Sequence, residues 1–212
     1  MNETITARNV TLHDLKQKFQ LQQVENGQFF TEWQEDLPTV TAYEKQSLDK
    51  IRINHMSLIE YPPLLEQTVQ MTVLGPLLVL ADFFLAPFSM RKEVSISISD
   101  EDETITIEGR IDVLVLKENL WVLVIESKRA SLALTVGFAQ LLSYMLATPN
   151  VQKPCFGLIT NGSSFAFIKL VHGNRPQYAM SRIYDMHNPG NELYHVFAIL
   201  KRLRILFLKD RG

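Results

Sequence analysis

The chain reads as an α/β domain with a central mixed β-sheet flanked by helices. Two observations predict this class. Apolar periodicity changes from helical to alternating near residue 91 and back to helical after Lys128, giving the order helices, three strands, helix, two strands, helix. With 212 residues, 46% of them apolar and 21% charged, the chain can enclose one ordinary core, so a single globular unit is expected.

Thr11 is placed to cap a first helix whose Leu12, Leu15, Phe19 and Val24 share a face. After Pro38, the mixed pattern of Tyr43, Leu48, Ile51 and Ile53 reads as helix first and loop or strand later. Residues 1–60 are thus expected to be a mainly helical extension packed on a core domain of residues 61–212. "PPLLEQTVQMTVLGPLLVLADFF" is a core helix opened by prolines and disturbed at Gly75-Pro76.

"KEVSISISD", "ETITIEGRIDVLVL" and "LWVLVIES" alternate as strands, with the acidic DEDE run between the first two as a solvated turn. "SLALTVGFAQLLSYMLATP" is helical up to Pro149, and Asn161-Gly162 joins two further strands as a hairpin. Leu193, Val196, Phe197, Leu200 and Leu203 make the apolar side of a last helix, whose surplus of apolar residues before Leu208 offers a face to a second subunit. Lys201, Arg202, Arg204, Lys209 and Arg211 suit its C-terminal end. Trp33 and Trp121 read as packing residues.

A formal net charge of −2 gives no global signal for nucleic acid or membrane, so an anionic partner needs a local basic surface. Cys155, the sole cysteine, excludes an intrachain disulfide and a thiolate zinc site, and reads as a small buried hydrophobe in a reducing cytoplasm. The N-terminus lacks a secretory pattern, and Gly75, Pro76, Asp82 and Pro87 interrupt the longest apolar run. A cytoplasmic protein without a membrane partner is expected. No phosphate-binding G-x-x-x-x-G-K-[ST] loop, helix-turn-helix or zinc-finger pattern occurs.

Chemistry concentrates in "EGRIDVLVLKENLWVLVIESKRA". Glu126 and Lys128 stand two apart on a strand and share a face. Whether Asp112 joins them depends on the turn. A three-residue KEN loop sets Asp112 diagonal to Glu126 at about 5–8 Å, whereas a two-residue turn at Glu118-Asn119 sends it to the opposite face. An odd loop is therefore the expectation. Two carboxylates and an ammonium suit Mg²⁺, which takes one or two protein carboxylates and keeps waters, with Lys128 orienting water or offsetting transition-state charge.

These segments resemble the PD-(D/E)XK nuclease superfamily. "GRIDVLV" looks like its first-acid motif, "WVLVIESK" like its (D/E)-X-K motif, and "QLLSY" is similar to the Gln-x-x-x-Tyr motif of the RecB-like branch. "FGLITNGSSFAFIKL" looks like the strand pair closing the N-terminal nuclease domain of type I restriction motor subunits. The likeness spans about residues 60–170.

It implies a restriction endonuclease-like α-β-β-β-α-β core and Mg²⁺-dependent (or Mn²⁺-dependent) DNA cleavage in restriction or repair, endonucleolytic rather than exonucleolytic. Asp112, Glu126 and the Ser127 carbonyl would be metal ligands, with Lys128, Glu66 and Gln140 catalytic; Glu60 is a fallback for Glu66. Apart from the resemblance, Arg110 and Arg129, with Arg91 and Lys92, cluster around the site in sequence and are placed to contact phosphates by charge, and Tyr144 is placed to reach a DNA strand. The partners implied are DNA, a second copy of the chain, and other restriction or repair subunits. The rival expectations are a catalytically silent nuclease-like module that binds nucleic acid or a protein, and a metal-free oligomeric structural protein.

Overall fold

The computed structural model describes residues 3–62, 64–100, 102 and 104–209. Among them, strands β1 (Glu3–Thr6), β2 (Gln22–Gln23), β3 (Phe88–Ser99), β4 (Ile105–Lys117), β5 (Leu120–Ser127), β6 (Cys155–Thr160), β7 (Ser164–Val171), β8 (Gln177–Met180) and β9 (Tyr184–Asp185) form one mixed sheet. Its order is β1-β4-β5-β6-β7-β8-β2, with β3 added to β4 and β9 to β7. Helices cover both faces, as the expected class requires.

One core packs the sheet against α2 (Ala42–Ile59), α4 (Gly75–Leu80) and α6 (Leu193–Lys209); the other packs it against α1 (Leu12–Lys18) and α5 (Phe138–Leu146). Cys155 is buried in the second core. Trp33 and Trp121 pack, half-buried, against the first and second cores respectively. No helix among the described residues is long and apolar enough to cross a membrane.

Reciprocal capping boxes start the first two long helices: Thr11 with Asp14, and Thr41 with Glu44. α2 stays helical to Ile59, where the sequence pattern pointed to loop or strand. The reason is that its inward face is Leu48, Ile51 and His55; a histidine takes an apolar position and hides the period. His55 Nε2 meets Ser163 Oγ there at 3.0 Å, while its buried Nδ1 has no partner among the described residues. Residues 1–60 also supply β1, parallel to β4, and β2, parallel to β8.

A helix of changing pitch precedes the three-strand run. α3 (Glu66–Val69) gives way to a π turn over Gln70–Leu74, and α4 follows at once. Gly75 N–H donates to Gln70 O, five residues back, and Pro76 falls in the first turn of α4, where its missing N–H is tolerated. Pro62 precedes this helix, and Pro63 lies outside the described residues.

The acidic turn before β4 is not wholly solvated. Asp100 is buried and ties the turn, accepting from Ile105 N–H at 2.9 Å and from Thr104 Oγ1 at 2.5 Å. Asp102 is exposed, and Glu101 and Glu103 lie outside the described residues. α5 is shorter than its sequence signal: Ala133 is extended, and a 3₁₀ turn over Leu134–Gly137 leads into the helix. Gly162, at φ 91°, makes the expected turn between β6 and β7. In α6, Lys201 pairs with Glu44, Arg202 with Asp36 and Arg204 with Asp82, while Arg211 lies outside the described residues.

The register of β4 and β5 corrects one expectation and keeps its consequence. Lys117 pairs with Leu120, so the loop is the two-residue Glu118-Asn119 turn, with Glu118 at φ 55°. By itself that turn sends Asp112 to the wrong face. A bulge cancels it: Leu116 pairs with Trp121 and Val115 with Leu123, which makes Val122 one residue in excess. Continuing the Val113–Ile125 pair by one step sets Asp112 across from Glu126.

Asp112 also marks a change of face. Ile107 and Ile111 enter the second core, whereas Val113 and Val115 enter the first. On β3 the same switch separates Val94 and Ile96 from Phe88 and Met90, with Glu93 between them at φ 55°. Positive φ at a glutamate is uncommon, and here it lies where the strand pair turns over.

Candidate active site

β1 covers one edge of β4 as far as Glu108, and β5 takes over at Val113. Asp112 lies in the interval between them. Its Oδ2 accepts from the Ser127 N–H and from Ser127 Oγ, both at 2.8 Å, so the end of β5 clamps the carboxylate. Ser127 Oγ in turn accepts from Gln70 Nε2 at 2.7 Å, a contact supplied by the π turn. Gln70 carried no readable sequence signal, because its reach depends on that change of pitch.

Glu126 and Lys128 are 1% and 6% exposed, so this part of the site is interior. Lys128 Nζ donates to Glu126 Oε1 at 2.5 Å and to Gln140 Oε1 at 2.7 Å. Gln140 Nε2 donates to the Tyr144 hydroxyl at 2.7 Å. The Arg110 backbone hydrogen-bonds that hydroxyl too, while burial, chiefly, pushes the phenol up to about 12, so it stays protonated. The four-residue spacing of Gln140 and Tyr144 on α5 thus places both in one chain running to Lys128.

Two glycines make room for this chain. A Cβ on Gly137 would lie 2.7 Å from Lys128 Cε and 2.5 Å from Ile159 Cδ1. One on Gly109 would lie 2.6 Å from both Ala7 Cβ and Tyr144 Cε1. Only Gly109 had a signal, as a glycine interrupting an apolar strand.

Glu66 begins α3, half-buried and near enough for its charge to act on Glu126. Glu60 is exposed at the end of α2. Arg110 is exposed and lies 3.5 Å from Glu93, and Arg129 is exposed next to Lys128. Arg91 and Lys92 are exposed on β3. The structure therefore brings Asp112, Glu126, Ser127, Lys128, Gln140 and Tyr144 together, sets Glu66 at their margin, and leaves the arginines on the surface.

Burial first, and the Asp112 charge second, push Glu126 up to about 8, against the opposing pull of Lys128. Its Oε2 is buried and has no hydrogen-bond partner among the described residues. A cation shared with Asp112 would satisfy that oxygen and offset the repulsion between the two acids. Among the described residues no three His, Cys, Asp or Glu side chains gather as a metal cluster. A pair of carboxylates would suit a cation that keeps most of its waters, such as Mg²⁺, and not a metal that requires a full protein cage. Compared with known proteins, the chain matches no family model and no curated protein.

Proposed function

We propose that the protein is a metal-dependent nuclease with a restriction endonuclease-like core, hydrolysing DNA phosphodiesters in restriction or repair. The observation that carries this reading is the buried, unpartnered Oε2 of Glu126, set across from Asp112 on a carboxylate that Lys128 also grips. Asp112 and Glu126, with the Ser127 carbonyl, would hold Mg²⁺ or Mn²⁺. When bound, the cation supplies positive charge to the scissile phosphodiester. Ser127 and Gln70 fix the direction of Asp112. Lys128 orients the attacking water and offsets charge developing on phosphate, held by Gln140, which Tyr144 holds in turn. Glu66 adds negative charge at the margin, and Arg110 and Arg129 meet DNA phosphates.

An endonuclease with one such site per chain cuts both strands as a homodimer or in two visits, with or without further restriction or repair subunits. One observation favours the silent-module reading: both side-chain contacts of Lys128 are internal. Incubation with supercoiled plasmid separates the two. Nicking that requires Mg²⁺, stops with EDTA and disappears in Glu126→Ala and Lys128→Ala is expected of the nuclease. Intact plasmid with every divalent ion tried, or undiminished nicking by Glu126→Ala, overturns it.

A further inference from the structure

Where β1 has ended and β5 has not begun, a cleft of about 700 Å³ opens beside β4. Arg8, Ser95, Ser97, Glu108, Arg110 and Tyr144 line it. Tyr144 can approach because Gly109 has no side chain, and its hydroxyl joins the chain through Gln140 to Lys128 and Glu126. The cleft therefore adjoins the candidate active site.

Its polar groups have a consistent chemistry. Ser95 pairs with Arg110 and Ser97 with Glu108, so these side chains share one face of the strand pair. Arg8 is exposed and unpaired among the described residues. Arg110 shares only a long 3.5 Å contact with Glu93, at 65% and 69% side-chain exposure, so it is readily exchanged for another anion. Guanidinium forks and hydroxyls are the groups that take phosphate oxygens, while Glu108 repels them at one end.

We infer that this cleft seats the sugar-phosphate backbone of the DNA strand next to the cut bond, with Arg8 and Arg110 as its phosphate contacts. This rests on the nuclease reading. It adds that the segment following β1 completes the substrate surface and that Glu108 limits how far the backbone extends.

The test is fluorescence anisotropy of the full chain with a labelled duplex oligonucleotide over a salt series, Ca²⁺ replacing Mg²⁺, beside plasmid nicking in Mg²⁺. Arg8→Ala and Arg110→Ala should each weaken binding and lower the slope of log K against log salt by about one. Glu108→Gln should tighten binding. All three positions lie at the surface, so matching melting temperatures verify the fold. If wild type nicks plasmid but both arginine variants keep its affinity and slope, the cleft assignment falls and the nuclease reading stands. If wild type neither binds nor nicks, both fall.

Discussion

The acid–lysine pairs Glu32–Lys169 and Glu126–Lys128 differ in their surroundings, and that difference separates structure from chemistry. Glu32 and Lys169 meet at 2.7 Å with 14% of each side chain exposed; Glu126 and Lys128 meet at 2.5 Å and are less exposed still. Each glutamate keeps one buried oxygen without a partner among the described residues. Beside Glu32 lie Lys153, Pro154, Phe156 and Phe207, with no second acid lining the cavity. Glu126 instead has Asp112 across from it and Glu66 nearby, which act together with burial to hold its proton. A buried ion pair alone is an ordinary packing device. Convergence of a second carboxylate on it is what suits a cation.

The largest effect that separates the two pairs should be on cleavage. Glu126→Gln should lower plasmid nicking by about a thousandfold or more, since several kcal/mol of electrostatic stabilisation are at stake. Glu32→Ala should leave it within about twofold. Equal losses in both variants would erase the distinction.

Stability should move in opposite directions. Glu32→Ala strands Lys169 and should cost about 1–3 kcal/mol in denaturant unfolding. In EDTA near pH 8, Glu126→Gln should stabilise the fold by about 1–3 kcal/mol, because the amide removes charge from a site that resists it and can still accept from Lys128. Glu126 rises from 4.5 unfolded to about 8 folded, so between these values the native chain holds the extra proton. Metal-free stability should therefore fall as pH rises through that window, and stabilisation by Mg²⁺ should grow over it. A flat profile in wild type, or the same slope in Glu126→Gln, would contradict this.

A smaller effect sharpens the comparison. Gln70 acts on Asp112 only through Ser127, so Gln70→Ala should weaken Mn²⁺ binding measured calorimetrically by about tenfold with the melting temperature little changed. No change in affinity would reduce Gln70 to a packing residue.

The sequence made β3 to β7, the capping residue Thr11 and the Asn161-Gly162 turn legible, because each rests on local periodicity or local backbone chemistry. Asp112, Glu126 and Lys128 stood out for the same reason, as charges interrupting aliphatic strands. β1, β2, β8 and β9, each two to four residues long, were not expected; they are too short to carry a period of their own and exist through pairing with β4, β7 and one another. The facing of Asp112 illustrates the limit most clearly. It depends on the parity of the turn and of the bulge together, and Val122 is an ordinary strand residue whose excess appears only in the register. Gln70 and Gly137 were equally silent, since one depends on a π turn and the other on the path of the lysine that follows β5.

The most direct measurement is anomalous diffraction from crystals of the protein soaked in Mn²⁺, wild type beside Glu126→Gln. A single peak shared by the Asp112 and Glu126 carboxylates, absent from the variant, is the predicted result. Mn²⁺ bound elsewhere, or no peak between these two acids in wild type, would contradict the claim that they form a metal site.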